Sequence, residues 1–192
     1  MPWILDNGLH CRSSGARDPN FVSIGNPDLI EKRMNRRVPC GPGGVLEDYI
    51  PFYFTPFTPM MYNIKTGRSV SRRDLSEIVI LLSSLRHLDK TNVEFVFSDR
   101  HAYLEMAEFF ADLNELQKID WPKLRARNFR RRPDDPEAFD RYQAEALVHR
   151  HLSLDNILGL ACRDNKTMGA LNAEVRTRNL ELKVVLRPGW YV

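Results

Sequence analysis

Arg36-Arg-Val-Pro-Cys-Gly-Pro-Gly-Gly-Val-Leu-Glu-Asp-Tyr-Ile-Pro-Phe-Tyr-Phe54 passes from a basic segment through a glycine-rich turn into an aromatic, extended run. Just upstream, Asn26-Pro27 makes a good helix start, with asparagine as cap and proline at the first helical position. The helix that follows carries Leu29, Ile30 and Met34 on one side and Lys32, Arg33, Arg36 and Arg37 around the rest. Pro39 to Gly44 ends it in a turn. That turn is no Walker A loop, because no Gly-Lys-Ser/Thr follows, and no dinucleotide fingerprint, because no strand precedes it and no helix opens from it. Downstream, Pro51, Pro56 and Pro59 argue against helix. They leave Tyr49–Phe54 and Pro59–Ile64 as edge strands or structured loop.

Outward from this stretch the elements stay short. Pro2 to Gly8 reads as the final turns of a helix stopped by glycine, and residues 12–25 as loop. Glu77–Ser83 and Val93–Phe97 are β-branched or aromatic runs, hence buried strands, with at most a helical turn at Leu85–Leu88 between them. Ser98 is expected to cap a helix whose apolar positions are Ala102, Met106, Phe109, Phe110 and Leu113. Trp121–Arg127 reads as a short helix and Arg130–Asp140 as a charged loop. Ala144–His149 and Ile157–Cys162 alternate as strands, Lys166–Arg178 is an amphipathic helix, and Leu180–Leu186 is a closing strand. Many short strands with few helices, not strictly alternating, predict an α+β fold with at least one mixed or antiparallel sheet.

At 192 residues, with 43% hydrophobic and 28% charged residues, the chain has the composition of one globular domain able to close a core without disulfides. No apolar run approaches the ~20 residues of a membrane span, and the start has no signal-peptide pattern. Cys11, Cys40 and Cys162 are odd in number and lack CxxC spacing. They argue against a disulfide framework or zinc site and for a cytoplasmic protein. The net charge is only +3. The basic residues nonetheless cluster, as the Lys32–Arg37 group, as Arg72 and Arg73, and as Arg125, Arg127, Arg130, Arg131 and Arg132. Arginine clustered on a near-neutral chain is the footprint of phosphate binding, or else of solvated loops.

Several residues carry potential chemistry. Glu145 lies inside an alternating strand between two alanines, a place where a carboxylate is either on an exposed edge or held for function. His101, in Ser98-Asp-Arg-His-Ala102, reads as a histidine near a helix start, where the neutral imidazole is favoured. His149 and His151 are spaced to share a strand face, yet no third metal ligand accompanies them. Tyr49, Phe52, Tyr53, Phe54, Phe57 and Tyr62, with Met60 and Met61, stand beside arginine clusters. That is the composition of a single-stranded nucleic-acid platform, although alternation sends about half of such side chains into a core.

The stretch Arg36–Phe54, together with Ser98-Asp-Arg-His-Ala102, Tyr142-Gln-Ala-Glu-Ala-Leu-Val-His149 and Arg187-Pro-Gly-Trp-Tyr191, resembles the DarT family in order and across essentially the whole chain. Its members are bacterial toxins that ADP-ribosylate thymidine on single-stranded DNA with NAD as co-substrate. The resemblance implies an ADP-ribosyltransferase-like fold, two packed sheets with an NAD cleft between them, over one domain of residues 1–192. It implies Glu145 as catalytic glutamate, Arg33 as essential arginine and His101 as supporting histidine, with Arg33 and Leu9 on the NAD side. It places Tyr53, Met60, Arg125, Arg127 and Arg130 at the DNA, calls for no metal, and implies a macrodomain antitoxin as partner. The family begins with a strand carrying a Tyr/Trp-x-Ile-Thr-His-like segment, whereas this sequence starts inside the following helix and is expected to be short by that strand. The alternatives are a protein or RNA acceptor, and a single-strand binder without catalysis.

Overall fold

A computed structural model describes residues 1–192. The strands are β1 Leu9–His10, β2 Tyr49–Tyr53, β3 Ile80–Leu82, β4 Phe95–Ser98, β5 Phe109–Phe110, β6 Glu145–His149, β7 His151–Leu152, β8 Gly159–Cys162 and β9 Val184–Leu186. The helices are α1 Pro2–Asn7, α2 Pro27–Met34, α3 Pro59–Thr66, α4 Leu85–Lys90, α5 Trp121–Arg125, α6 Ala138–Arg141 and α7 Asn165–Thr177. An antiparallel four-stranded sheet runs β2-β6-β4-β5, a mixed three-stranded sheet runs β3-β8-β9, and β1 pairs with β7 in a small ribbon. The α+β expectation holds. No helix is long and apolar enough to cross a membrane.

Alternation along β6 sets the two sides of the larger sheet. Ala146 and Val148 face the main core with Ile50, Phe95 and Phe97, and Leu160, Cys162 and Leu171 meet them from the other sheet and α7. Leu147 faces the opposite way, into a smaller cluster with Val38, Leu46, Tyr49, Val96 and Ala102. Glu145 is one pleat repeat before Leu147, so its side chain emerges at the end of that second cluster. A third cluster, Met61, Ile64, Leu75 and Tyr191, packs α3 against the C-terminal turn.

Four expectations need correction. Pro59–Thr66 is a helix, because Pro59 occupies its first position, where no N–H is needed, and Thr58 Oγ1 accepts from Met61 N at 3.1 Å. Residues 102–113 do not form a helix. Ser98 Oγ turns to Arg100 O instead of capping, and the chain doubles back so that Phe109 and Phe110 pair with Ser98 and Phe97. Leu85–Lys90 is a six-residue helix, more than a turn. The strands are also shorter than the apolar runs: β3 begins only at Ile80, after a 3-10 turn capped by Asp74, and β9 only at Val184. Proline fits where it was read as an edge marker, since β2 with Pro51 is the sheet's outer strand.

Candidate active site

The glycine-rich turn is a scaffold for the site and makes no contact with it. At Gly41 (φ 58°) an added Cβ would stand 2.7 Å from Val96 Cγ1, and at Gly44 (φ 78°) 2.6 Å from Asp48 Oδ2. Only glycine lets the turn lie this close against β4. Tyr49 Oη donates to Gly43 O at 2.7 Å, which fixes the turn to the start of β2. The Cys40 thiol in this turn is pushed up by burial, away from nucleophilic use.

Three chain segments converge on Glu145. The first is α2, started by Asn26, whose Oδ1 accepts from Asp28 N and Leu29 N at 2.9 and 3.3 Å, a cap worth ~1 kcal/mol. From its last turn Arg33 Nη1 reaches Glu145 Oε2 at 2.8 Å and Oε1 at 2.9 Å. The second is the turn after β4. Ser98 Oγ donates to Arg100 O at 2.6 Å and accepts from Glu145 N at 3.3 Å. Asp99 takes Glu108 N and Arg100 Nε, Arg100 Nη1 reaches Glu137, and His101 N donates to Asp140 O at 3.0 Å. Held in this way, the turn directs Ala102 N at Glu145 Oε1 (3.2 Å) and sets His101 Nδ1 2.8 Å from the same oxygen. The third is β2, whose Tyr53 stands directly opposite Glu145.

Glu145 is 3% exposed. Burial pushes its carboxyl up, but the Arg33 charge, the His101 ring and the Ala102 N–H outweigh burial and hold it at about 2. The carboxylate is therefore ionised at any physiological pH. Burial, then the Glu145 charge, push the Tyr53 phenol far up, so it stays neutral. Among the buried polar atoms without a hydrogen bond, two are in this site: Arg33 Nη2, and His101 Nδ1, which lies 2.8 Å from Oε1. A buried anion flanked by unspent donors is suited to polar, hydroxyl-bearing substrate groups that develop positive charge.

The aromatic segment and the arginine loop also meet. Phe129, between Arg127 and Arg130, stacks at 5.8 Å on Phe57, 6.1 Å on Tyr62 and 5.5 Å on Tyr142. Met60 and Tyr62 are exposed beside it, 38% and 41%. Arg125, Arg127 and Arg130 are exposed, and no carboxylate pairs with them, whereas Arg132 is taken by Asp134 and Arg131 lies over Phe139 at 4.6 Å.

The structure brings Arg33, His101, Tyr53 and Glu145 together and joins Tyr62 to the arginine loop through Phe129, while Met60 is exposed on the same helix as Tyr62. Leu9 is elsewhere. It pairs with Leu152 beyond the far end of β6 and packs on the main core. His149 and His151 part company, the first toward Glu94 at 3.2 Å and the second toward Asn7 O at 3.2 Å, and no group of three metal-ligating side chains occurs. Ser98, Ala102 N, the Asp99–Arg100–Glu137 brace and Phe129 were not read from the sequence. A lone aromatic inside an arginine-rich loop was the available signal for Phe129. A concavity of about 370 Å³ lies on the Pro27–Ile30–Met34 side of α2, the helix that carries Arg33.

Comparison with known proteins bears directly on this geometry. A DNA ADP-ribosyl transferase of Escherichia coli O127:H6 (strain E2348/69 / EPEC) is 50% identical over 192 residues, all of this chain and 88% of that protein. A DNA ADP-ribosyl transferase of Thermus sp. (strain 2.9) is 40% identical over 132 residues, 69% of this chain and 62% of that protein. The solved structure of Thermus sp. 2.9 DarT in complex with ADP-ribosylated ssDNA matches with a TM-score of 0.91 at 31% identity, covering 100% of this chain and 90% of that one. The same protein in complex with NAD+ matches at 0.85 and 30% identity, covering 100% and 91%. The description "ssDNA thymidine ADP-ribosyltransferase, DarT" matches residues 1–192. The resemblance read from the motifs is thus a membership: this chain belongs to the DarT family of single-stranded DNA thymidine ADP-ribosyltransferases.

Proposed function

We propose that this chain transfers ADP-ribose from NAD to thymidine in single-stranded DNA through Glu145, Arg33 and His101, as one domain of residues 1–192. The observation that carries the reading is the convergence of a guanidinium, an imidazole and a backbone N–H on one buried carboxylate. NAD, as co-substrate, supplies an ADP-ribosyl group whose anomeric carbon becomes cationic as nicotinamide leaves. Glu145, ionised and preorganised, stabilises that charge, and its Oε2 can accept from ribose hydroxyls. The bond from nicotinamide nitrogen to ribose breaks and nicotinamide leaves neutral, a bond from a thymine ring nitrogen to ribose forms, and the proton of that nitrogen passes to water. Arg33 carries a guanidinium, which is no base; it offsets negative charge gathering on the thymine ring or on the NAD phosphates. His101 holds the Glu145 carboxylate in orientation.

Tyr53, Met60, Arg125, Arg127 and Arg130 receive the strand. Bases stack on the exposed aromatic and methionine side chains while arginines follow phosphates, which requires unpaired DNA. The family resemblance supplies a macrodomain antitoxin as the partner that reverses the modification. Three free cysteines support a cytoplasmic setting for this chain. The test is label transfer from NAD to oligonucleotides. Wild type should label single strands containing thymine and spare duplexes and thymine-free strands, and Glu145→Gln should lower the rate at least ~100-fold. Labelling of thymine-free DNA, of RNA or of protein in preference would overturn the acceptor.

A further inference from the structure

The arginine loop does not end at the aromatic cluster. Arg127 Nη1 donates to Gly189 O at 3.0 Å, which ties the loop to the C-terminal turn. In that turn the Arg187 guanidinium lies 5.8 Å from the Trp190 ring. Trp190 and Val70 both pack on the Met61–Ile64–Leu75–Tyr191 cluster, which binds the turn to α3 and to the loop after it. Three distant parts of the sequence are therefore brought together: α3 with the loop after it, which carries Tyr62, Arg68 and Arg72, the arginine loop with Arg127, and the C-terminal turn with Arg187 and Trp190.

The charges on this face are not neutralised. Arg73 pairs with Glu77 at 3.2 Å and Arg163 with Asp74 at 3.6 Å. Arg68, Arg72, Arg127 and Arg187 are exposed and pair with no carboxylate. Free guanidinium groups interleaved with Tyr62 and Trp190 combine phosphate binding with stacking surfaces. The face also continues directly from the Phe129 cluster, through Tyr62 on one side and Arg127 on the other.

We propose that this face is a second track for single-stranded DNA, holding nucleotides that flank the target thymidine. The proposal rests on the reading that the chain modifies single-stranded DNA, and it adds where the strand goes on leaving the site. It explains why Arg127 binds a backbone carbonyl of the C-terminal turn: the hydrogen bond joins two stretches of one path.

The experiment compares wild type with an Arg72→Gln/Arg187→Gln double variant, both exposed positions outside the Glu145 site. Fluorescent oligonucleotides of two lengths are used, one a pentamer around a single thymidine and one extended on both sides. For the long strand, the slope of log affinity against log salt should fall by about 1.4 in the variant, about 0.7 for each phosphate that the variant leaves unneutralised. Pentamer binding and pentamer modification should be unchanged. An unchanged slope on the long strand overturns the track, as does an equal weakening on the pentamer. Competition by polyglutamate as strong as by an equal charge of thymine-free single strand assigns the face to an acidic protein and also overturns it. If wild type modifies no thymidine while the slope still falls in the variant, the track stands and the catalytic reading falls.

Discussion

Tyr53 and Glu145 are directly opposed across β2 and β6, so a nucleobase-sized aromatic ring and the buried carboxylate share one face of the sheet. The same burial and the same Glu145 charge keep the Tyr53 phenol protonated. A neutral phenol far above its ordinary range is no general base. In the proposed function its contribution is the ring. We expect Tyr53→Phe to retain most label transfer and Tyr53→Ala to lose strand affinity, a stacked base being worth ~1–3 kcal/mol. Equal loss in both variants, measured by oligonucleotide binding, would assign the role to the hydroxyl.

Arg33→Lys separates charge from geometry. Nη1 meets both Glu145 oxygens while Nη2 stays unspent in the site, and an ammonium point charge cannot do both. The ion pair should survive in part and the thermal midpoint should change little. Transfer should fall by at least ~10-fold, as expected when one preorganised donor is removed. A lysine variant with wild-type turnover would show that only the charge matters.

Acid should expose the worth of the pair. Glu145 is held at about 2 against an ordinary value of 4.5, so its stabilising contribution is fully present above pH 4.5 and is lost as pH falls through about 2. Removing one partner of a buried pair costs on the order of 3–5 kcal/mol at neutral pH. The stability gap between wild type and Glu145→Gln, from urea unfolding, should therefore be widest above pH 4.5 and narrow steadily below it. A gap independent of pH would mean that the carboxylate charge contributes nothing to the fold.

Ser98 carries a prediction about positioning. Its hydroxyl is fully buried and joins Arg100 O to Glu145 N, so it sets the turn that presents His101 and Ala102 N to the carboxylate. Ser98→Ala leaves both backbone groups short of a partner at ~1–3 kcal/mol. Turnover should fall while the apparent KM for the oligonucleotide holds, because the fully buried hydroxyl cannot reach the strand. An equal rise in KM, from steady-state label transfer, would place Ser98 in strand binding.

Much of this arrangement was readable in the sequence because its elements obey local rules. Asn26-Pro27 started a helix, Pro51 marked an edge strand, and the Ala-Glu-Ala pattern set an acid into a strand. Residues 102–113 misled because apolar spacing of three and four arises equally in turns that double back. What decided between them was a distant carboxylate and a strand partner, which a local window does not contain. Pro59 misled for the opposite reason, since proline forbids a helix interior but suits a helix start. Arg33 and Glu145 lie 112 residues apart, and only the motif resemblance paired them before the fold did.

Phe129 is where the arginine loop is anchored, and it yields the last prediction. Its ring touches Phe57, Tyr62 and Tyr142, and Tyr142 Oη in turn donates to Phe57 O at 2.7 Å, so the loop is fastened to the segment that follows β2. None of these groups touches Glu145, Arg33 or His101. Phe129→Ala removes the anchor at a half-buried position, where truncating an aromatic costs at most ~3–5 kcal/mol and less than in a full core. The arginine loop would then lose its contact with Tyr62 and with Phe57, leaving Arg127 held only through Gly189 O. We expect oligonucleotide affinity to fall by ~10-fold or more, as the removal of one or two stacked bases or phosphate pairings implies. Hydrolysis of NAD in the absence of DNA should remain near wild type, because the carboxylate and its donors are untouched. Parallel decline of both activities, with an unchanged thermal midpoint, would show that the loop also shapes the NAD side of the site. Phe129→Tyr, which keeps the stacking ring, should restore affinity and separates anchoring from a general loosening of the fold.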